Sequence, residues 1–437
     1  MSLSMFATAL LAARKKKAPI VPEPEPDTLL MAVVSIVLFW VLPLAIFYVK
    51  SQMSAASKIA SAGVGMSTHK DPAKATFAAI SAAGVSKPTI AFCSCTVAHD
   101  PAKIQKEFAK KLPGVPIHGI TSSGALLQPG GSKPAAVGCL LIEAEPGAFA
   151  TSFSAEGNAT VAASALKRKM DSPQAIVLSG TPGAEEGALL AIAAVFPGVQ
   201  VYGGTAADND VSGKWSVFSE SGASGNGISL VAVGAGVKFG GSMLGPYTAT
   251  AKRAVATDCD GRTVGKIGGV PAGDWVLEWI GDAVKTEHKK GGMILGATAQ
   301  KPIGIKQPCG ELIPAHLALM GGEKENGAVT FFTPVPENSE IIVLDSAAGP
   351  ATGYAKALVD AFKAGTPAGK PKAALLVYCG GMAIAVGDKL DEGLSGPFAK
   401  AAEGVPVLGM TCFGEQGVLE AGTNCQRNLS MGLITFA

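Results

Sequence analysis

Gly404-Val-Pro-Val-Leu-Gly-Met-Thr411 decides how the chain folds, because its pattern occurs two more times. Gly114-Val-Pro-Ile-His-Gly-Ile-Thr121 and Gly198-Val-Gln-Val-Tyr-Gly-Gly-Thr205 share with it the form Gly-Val-x-(Val/Ile)-x-Gly-x-Thr. An internal repeat is the first property of a sequence to establish, since it determines the architecture. Unrelated β-α-β units also converge on similar sequences, but three copies favour a common origin.

An apolar run precedes each copy, at residues 89–95, 175–179 and 373–379, and an Ala-rich segment follows the run. Each unit is therefore predicted to be a strand, a helix and a second strand that ends in a turn of Gly, Thr and Ser. In the first copy we predict a strand over 89–95, a helix over 101–112 and a strand over 115–120. In the second copy the corresponding elements are 175–179, 184–196 and 199–203.

Two other stretches, residues 215–244 and 303–344, alternate between apolar and polar residues in the manner of antiparallel sheet. The predicted fold class is mixed α/β, with repeated β-α-β units, antiparallel β insertions and one preceding transmembrane helix. The predicted organisation is a tail over 1–28, the transmembrane helix over 29–49, a linker over 50–70, and two domains over 71–290 and 291–437.

A membrane segment is predicted within the first 70 residues. Residues 29–49, which begin with Leu29 and end with Val49, hold no charge and are long enough to cross a bilayer. A cleaved signal peptide is the alternative, but this run is too long and begins too late. Before it, residues 1–21 lack acidic residues, as in an organelle-targeting segment or a basic flank. After it, a Ser/Ala/Gly-rich stretch predicts a flexible tether.

Composition excludes several classes of function. The chain has 36 Lys and Arg against 34 Asp and Glu, without a basic stripe, so nucleic acid is not an expected partner. Eight scattered cysteines favour reduced, buried thiols over a disulfide framework. No cofactor is expected.

Motifs for catalysis or metal binding are missing from the sequence. There is no Gly-x-Ser-x-Gly, and the five histidines lack zinc-ligand spacing. The pair Cys93 and Cys95 is compatible with a metal or redox role, or with two thiols at the end of a strand. We therefore predict no catalytic and no metal-binding residues, and an enzyme that uses Cys93 or Cys412 is the least favoured reading.

The polar turns that follow the repeat strands are the best candidates for a binding site. Small ligands usually bind at the carboxyl edge of parallel strands, where glycines also permit close approach of the backbone. Hydroxyls, amides and carboxylates there suit a small zwitterion such as an amino acid, although the same groups also satisfy one another in ordinary turns. The predicted ligand-binding residues are Gly203, Gly204, Thr205, Asp208, Asn209, Thr411, Gly414, Glu415 and Asn428.

Several of these segments resemble a known family, the FIST sensory domain. Tyr202-Gly-Gly-Thr-Ala-Ala-Asp208 resembles its Gly-Gly-(Ser/Thr)-Ala-x-Asp signature, and His118-Gly-Ile-Thr-Ser-Ser-Gly124 resembles an earlier turn. Val335-Pro-Glu337, Phe413-Gly-Glu-Gln-Gly417 and Asn428-Leu-Ser430 resemble later elements in the same order. The resemblance covers residues 71–437, so that 71–290 and 291–437 correspond to its N and C parts. It implies a module that senses small molecules such as amino acids and is usually joined to signalling output domains.

Two functions follow as expectations. The first is a membrane-anchored, non-catalytic protein that binds a small ligand. The second is an accessory structural subunit of a plastid (photosystem) or mitochondrial membrane complex, in which the FIST-like part forms a soluble cap. Two features favour the accessory subunit: the acid-poor start, and a sequence without a kinase, cyclase or methyl-accepting segment. The turn over 203–209 favours the ligand-binding protein. In either case we expect a single-pass protein of an organelle membrane, thylakoid or mitochondrial inner membrane.

Overall fold

The computed structural model describes residues 58–322, 327–346, 350–367 and 369–437. The predicted tail and the predicted membrane span lie outside these ranges. Within these ranges, no helix has both the length and the apolar character that crossing a bilayer requires.

Repeat one begins with an edge strand and a helix, which precede the predicted strand–helix–strand unit. A hairpin and a returning strand complete it. Its elements are β1 (Ile59–Ser67), α1 (Pro72–Ala83), β2 (Ile90–Thr96), α2 (Pro101–Lys111), β3 (Ile117–Ser122), β4 (Ala125–Gln128), β5 (Gly131–Pro134) and β6 (Val137–Ala144). Asp71 and Asp100 cap the two helices, and each is followed by a proline at the first helical position.

Repeat two has the same elements in the same order. They are β7 (Phe149–Ser154), α3 (Ala159–Lys169), β8 (Ala175–Gly180), α4 (Glu185–Val195), β9 (Gln200–Thr205), β10 (Val217–Ser219), β11 (Gly222–Ser224) and β12 (Ile228–Val233). The strands and helices predicted for the first two copies are confirmed to within about two residues at each end.

Repeat three begins with β13 (Phe239–Gly241) and is then interrupted by an inserted domain over residues 248–345. The inserted domain is built on antiparallel strands and three helices. Its elements are β14 (Thr248–Asp260), β15 (Thr263–Ile267), β16 (Val270–Pro271), α5 (Ala272–Ile280), α6 (Lys285–Lys290), β17 (Gly292–Met293), α7 (Leu295–Thr298), β18 (Ile303–Lys306), β19 (Leu312–Ala315), β20 (Leu317–Met320), β21 (Val329–Phe331) and β22 (Glu340–Asp345).

The rest of repeat three resumes the common order after the inserted domain. Its elements are α8 (Pro350–Ala364), β23 (Ala373–Cys379), α9 (Gly380–Val386), α10 (Leu390–Ser395), α11 (Pro397–Ala401), β24 (Val407–Cys412), β25 (Glu415–Val418), β26 (Asn424–Arg427) and β27 (Met431–Phe436). Here three short helices stand where the first two repeats have one.

Each repeat forms the centre of a six-stranded sheet, and each sheet is completed by a hairpin from another repeat. The sheet orders are β1-β6-β2-β3-β10-β11, β7-β12-β8-β9-β25-β26 and β13-β27-β23-β24-β4-β5. Repeat one thus donates its hairpin to repeat three, repeat three to repeat two, and repeat two to repeat one. The exchange is cyclic, so the three repeats form a closed ring.

The three sheets share one apolar core, and helices cover their outer faces. Phe92, Val177, Tyr202, Val377 and Met410, drawn from all three repeats, are buried in that common cluster. Three further clusters lie between each sheet and its own helices, and a separate cluster fills the inserted domain. The arrangement confirms the mixed α/β class with repeated β-α-β units.

The expected linker over residues 50–70 is wrong for its second half. Residues 59–67 form strand β1, which pairs with β6. Gly63 and Gly65 favoured a tether in the sequence, but here they let α1 approach the strand closely. A Cβ at Gly63 would lie 1.8 Å from the carbonyl oxygen of Ala83, so these glycines serve packing.

The antiparallel stretch over residues 215–244 is not a separate insertion. Its strands β10, β12 and β13 belong to three different sheets, which are centred on repeats one, two and three respectively. Only the second antiparallel stretch lies in an inserted domain, which begins earlier, at residue 248.

Candidate functional site

The three Gly-x-Thr copies meet in a ring of backbone hydrogen bonds. Thr121, Thr205 and Thr411 occupy equivalent positions, and the amide two residues after each threonine donates to the threonine carbonyl of another repeat. The three bonds run from Ser123 N to Thr411 O (3.0 Å), from Phe413 N to Thr205 O (3.2 Å) and from Ala207 N to Thr121 O (3.0 Å). The repeated sequence is therefore the junction between repeats.

A cleft of about 210 Å³ opens beside this junction. All three repeats and the inserted domain contribute to its walls, which are largely apolar with a few polar groups. The lining residues are Ser123, Asn209, Asp210, Val211, Met293, Leu295, His316, Phe332, Cys379, Gly380, Gly381, Ile384, Cys412, Phe413 and Asn428. A concave, mostly apolar site with convergent polar groups is the usual form of a small-molecule site.

The inserted domain supplies one wall of the cleft through His316, which is 2% exposed. Its Nε2 lies 2.9 Å from the carbonyl oxygen of Leu295, so Nε2 carries the hydrogen and Nδ1 is an acceptor. Burial lowers the pKa of His316 to about 4, although the bond to Leu295 opposes this shift. Gly381 permits the approach, because a Cβ there would lie 2.7 Å from Nδ1 of the imidazole.

Asn428 is the polar group of the cleft with the clearest unused capacity. It is 1% exposed, and its Nδ2 has no hydrogen-bond partner among the described residues. Its Oδ1 accepts only a long bond, 3.5 Å, from the amide of His316. A buried donor without a partner costs free energy, and an acceptor oxygen brought by a ligand would remove that cost.

Two thiols, Cys379 and Cys412, line the cleft, and the buried carboxyl group of Glu415 lies behind them. Burial raises the pKa of Glu415 well above its ordinary value, while bonds from the amide of Ser430 and the thiol of Cys379 oppose the shift. Burial also raises the pKa of Cys379 and Cys412 well above that of a free thiol, and Glu415 adds to both shifts. These groups are therefore held in their neutral forms.

Two of the nine residues predicted from the sequence, Asn209 and Asn428, line the cleft. Asn209 is further fixed by the amide of Gly124, which donates to its Oδ1 at 2.8 Å and joins repeat two to repeat one. The other seven lie behind the wall, where the strand ends meet: Gly203, Gly204, Thr205, Asp208, Thr411, Gly414 and Glu415.

Asp208 illustrates why these seven do not face the cleft. Its Oδ1 accepts from the amides of Asp210 and Val211 at 3.2 and 2.6 Å, and its Oδ2 accepts from the amide of Lys214 at 2.8 Å. The fully buried carboxylate thus orders the loop that presents Asn209 and Asp210. Thr205 is likewise occupied, since its Oγ1 accepts from Gln416 Nε2 at 2.9 Å.

Sequence reasoning missed the wall from the inserted domain. Met293, Leu295, His316 and Phe332 lie far from the repeat motifs along the chain and carry no local signal of a site. Ser123 lies in the turn that follows Thr121, and it was not predicted to bind a ligand.

The comparisons with family models agree with the family resemblance seen in the sequence. The family model of the FIST N domain matches residues 89–270, and that of the FIST C domain matches residues 272–418. A comparison with curated proteins gives no match. One similar solved structure is a cyanuric acid hydrolase from A. caulinodans, 9% identical over 40% of this chain and 71% of that chain, with a TM-score of 0.22. A TM-score of this size supports no argument about fold or function.

Proposed function

The chain belongs to the FIST family, and we propose that it is a non-catalytic protein that binds a small ligand in the cleft beside the repeat junction. FIST domains are small-ligand sensory domains. The observation that carries the proposal is Asn428, a buried side chain of the cleft whose amide donor is unused.

The chemistry of the cleft favours an amino acid with an apolar side chain. Asn428 offers a donor for the ligand carboxylate, while the carboxylate of Asp210 and the Nδ1 of His316 offer acceptors for its ammonium. Phe332 and Phe413 provide apolar surface for the side chain. Each part of such a ligand therefore has a complementary group.

The state of the thiols supports binding without catalysis. A cysteine nucleophile needs a lowered pKa and a base within hydrogen-bond reach. The pKa of Cys379 and of Cys412 is raised instead, and the Nε2 of His316 is engaged by Leu295. Glu415 contacts the thiol of Cys379, but burial raises the pKa of this carboxyl group and holds it in the neutral form, which cannot act as a base.

A thermal-shift titration of the purified full-length chain with a panel of amino acids tests this proposal. Apolar members such as leucine and phenylalanine should raise the midpoint, since a ligand that binds only the folded state stabilises it. Aspartate and lysine serve as controls and should give smaller shifts. Flat curves for the whole panel would contradict amino-acid binding.

Attachment to a membrane through residues 29–49 completes the proposed function. The support is the uncharged 21-residue run in the sequence. Flotation with liposomes should carry the full-length chain to the top of a gradient, and a variant with two arginines in this run should stay at the bottom. Native sizing after mild detergent extraction separates a free ligand-binding protein from the accessory subunit of a larger complex, since only the subunit would migrate with partners.

A further inference from the structure

A second cavity, here called the side pocket, lies away from the cleft, between repeats one and two. It has a volume of about 210 Å³. One wall consists of Thr151, Ser152 and Phe153 on edge strand β7, and Lys169 projects from the last turn of α3. The turn between β10 and β11, residues 219–221, forms the opposite wall. None of these residues lines the cleft.

Ser152 is an unused polar group inside the side pocket. The residue is 7% exposed, and its Oγ has no hydrogen-bond partner among the described residues. A hydroxyl is both a donor and an acceptor, so an occupant that also combines the two functions would satisfy it. The neighbouring Ser219 and Ser221 add two more hydroxyls, whose oxygens are 2.7 Å apart.

The side pocket also holds one positive and one negative group that are not paired with each other. Lys169 Nζ donates to the carbonyl oxygen of Thr151 at 2.7 Å, which leaves two of its three hydrogens. The amide of Ile117 donates to Oε2 of Glu220 at 3.0 Å, so Oε1 is left to accept a hydrogen bond from a ligand. Within the ranges that the structure describes, neither group has an ion-pair partner.

These charges restrict the kind of molecule that the pocket can hold. A small anion attracted by Lys169 would also meet Glu220, and a small cation attracted by Glu220 would meet Lys169. Hydroxyl groups satisfy both, because each accepts from the ammonium or donates to the carboxylate. Ala165 of α3 gives the same cavity a small apolar surface on which the C–H groups of such a molecule can rest.

The geometry points to a second binding site, in the side pocket, for a compact neutral polyhydroxy compound such as a monosaccharide or a cyclic polyol. Lys169 and Ser152 donate to its oxygens, and Glu220 Oε1 accepts from its hydroxyls. The site is independent of the amino-acid ligand proposed for the cleft.

Saturation-transfer NMR on the full-length chain with glucose, galactose, mannose, ribose and myo-inositol tests this site. At least one compound should show transfer, and Ser152→Ala should weaken its binding roughly fivefold, the value of one ordinary hydrogen bond. Because Ser152 Oγ makes no bond within the described part of the chain, this variant should retain the unfolding midpoint of the parent. Glu220→Gln, which keeps an acceptor for the amide of Ile117, should also weaken binding.

Asn428→Ala is the control, since it lies in the cleft and should leave the sugar signal unchanged. The inference is overturned if no compound of the panel binds, or if Ser152→Ala and Glu220→Gln both leave binding intact. It is equally overturned if Asn428→Ala abolishes the signal, because the sugar would then occupy the cleft. Preferential binding of inorganic phosphate to the side pocket would also overturn it.

Discussion

At the scale of single residues, Asn428 and His316 determine what the cleft can bind. Asn428 belongs to repeat three and His316 to the inserted domain, and the amide of His316 donates a long hydrogen bond, 3.5 Å, to Oδ1 of Asn428. Nδ2 of Asn428 has no hydrogen-bond partner among the described residues, and Nδ1 of His316 is an acceptor. The cleft therefore offers one donor and one acceptor to the proposed ligand.

Asn428→Ala should therefore weaken the cleft ligand about tenfold or more, since a hydrogen bond to a charged group contributes roughly 1.5–3 kcal/mol. Isothermal titration with the best amino acid of the panel measures the effect. Ser152→Ala is the matched control and should bind the amino acid as the parent does. An affinity unchanged by Asn428→Ala would remove this residue from the site.

The buried His316 predicts how stability depends on pH. Its folded pKa of about 4 lies below the unfolded value of 6.5, so its contribution is complete above pH 6.5 and is lost as the pH falls towards 4. The loss amounts to about 3 kcal/mol over this interval.

His316→Gln, which can still donate to Leu295, should flatten that decline in urea unfolding measured from pH 7 to pH 4. Some decline should remain, because burial also lowers the pKa of His118, to about 3. A variant that loses stability as steeply as the parent would show that His316 is not responsible.

At the scale of elements, the repeated Gly-x-Thr sequence is explained by the exchange of hairpins. Phe218 of the hairpin from repeat two covers Gly119, and Leu127 of the hairpin from repeat one covers Gly409. A Cβ would lie 2.1 Å from the ring of Phe218 and 2.6 Å from the Cβ of Leu127. In these two copies the glycine is needed because a donated strand crosses there, whereas in the second copy a Cβ at Gly203 would lie 1.9 Å from the carbonyl oxygen of Leu178 in the same repeat.

Gly119→Ala should lower the free energy of unfolding by about 2 kcal/mol, because the added methyl forces Phe218 out of its place. Urea unfolding measures the change. Gly187→Ala is the control: nothing lies within 4 Å of the added Cβ, and alanine in α4 should raise stability by about 0.5–1 kcal/mol. Equal effects of the two substitutions would contradict the packing argument.

The individual strands and helices could be predicted from the sequence, but the exchange of hairpins between sheets could not. Apolar runs and Ala-rich segments predicted β2, α2, β8 and α4 closely, because these signals act over a few residues. Which sheet receives a hairpin depends on contacts across the chain, such as the pairing of Gly409 with Leu127 in β4, and no local pattern encodes them. For the same reason Asn209 and Asn428, near strand ends, were found, whereas His316 was not.

At the scale of the whole molecule, three ion pairs among the described residues connect the inserted domain to the ring of repeats. Arg262 binds Glu185 and Glu186 of α4 at 3.1 and 2.9 Å, and Arg427 binds Glu311 at 2.7 Å. Because the inserted domain forms one wall of the cleft, these contacts also hold the site together.

Arg262→Met should lower the free energy of unfolding by about 2–3 kcal/mol, since it removes the arginine that pairs with the buried carboxylate of Glu185. Hydrogen exchange should increase in α4 and in the inserted domain. Lys103→Met is the control: it removes an exposed ion pair with Asp100 and should change neither the free energy of unfolding nor the hydrogen exchange. Unaltered exchange in Arg262→Met would mean that the pair does not hold the domain in place.

We propose that three repeats joined at their Gly-x-Thr turns, together with the inserted domain, build a binding cleft. The most direct measurement is a crystal structure of the full-length chain with the amino acid that stabilises it most. We predict a ligand whose carboxylate accepts from Asn428 Nδ2, with its side chain against Phe332 and Phe413. A ligand bound elsewhere, with the cleft occupied only by water, would contradict ligand binding beside the repeat junction.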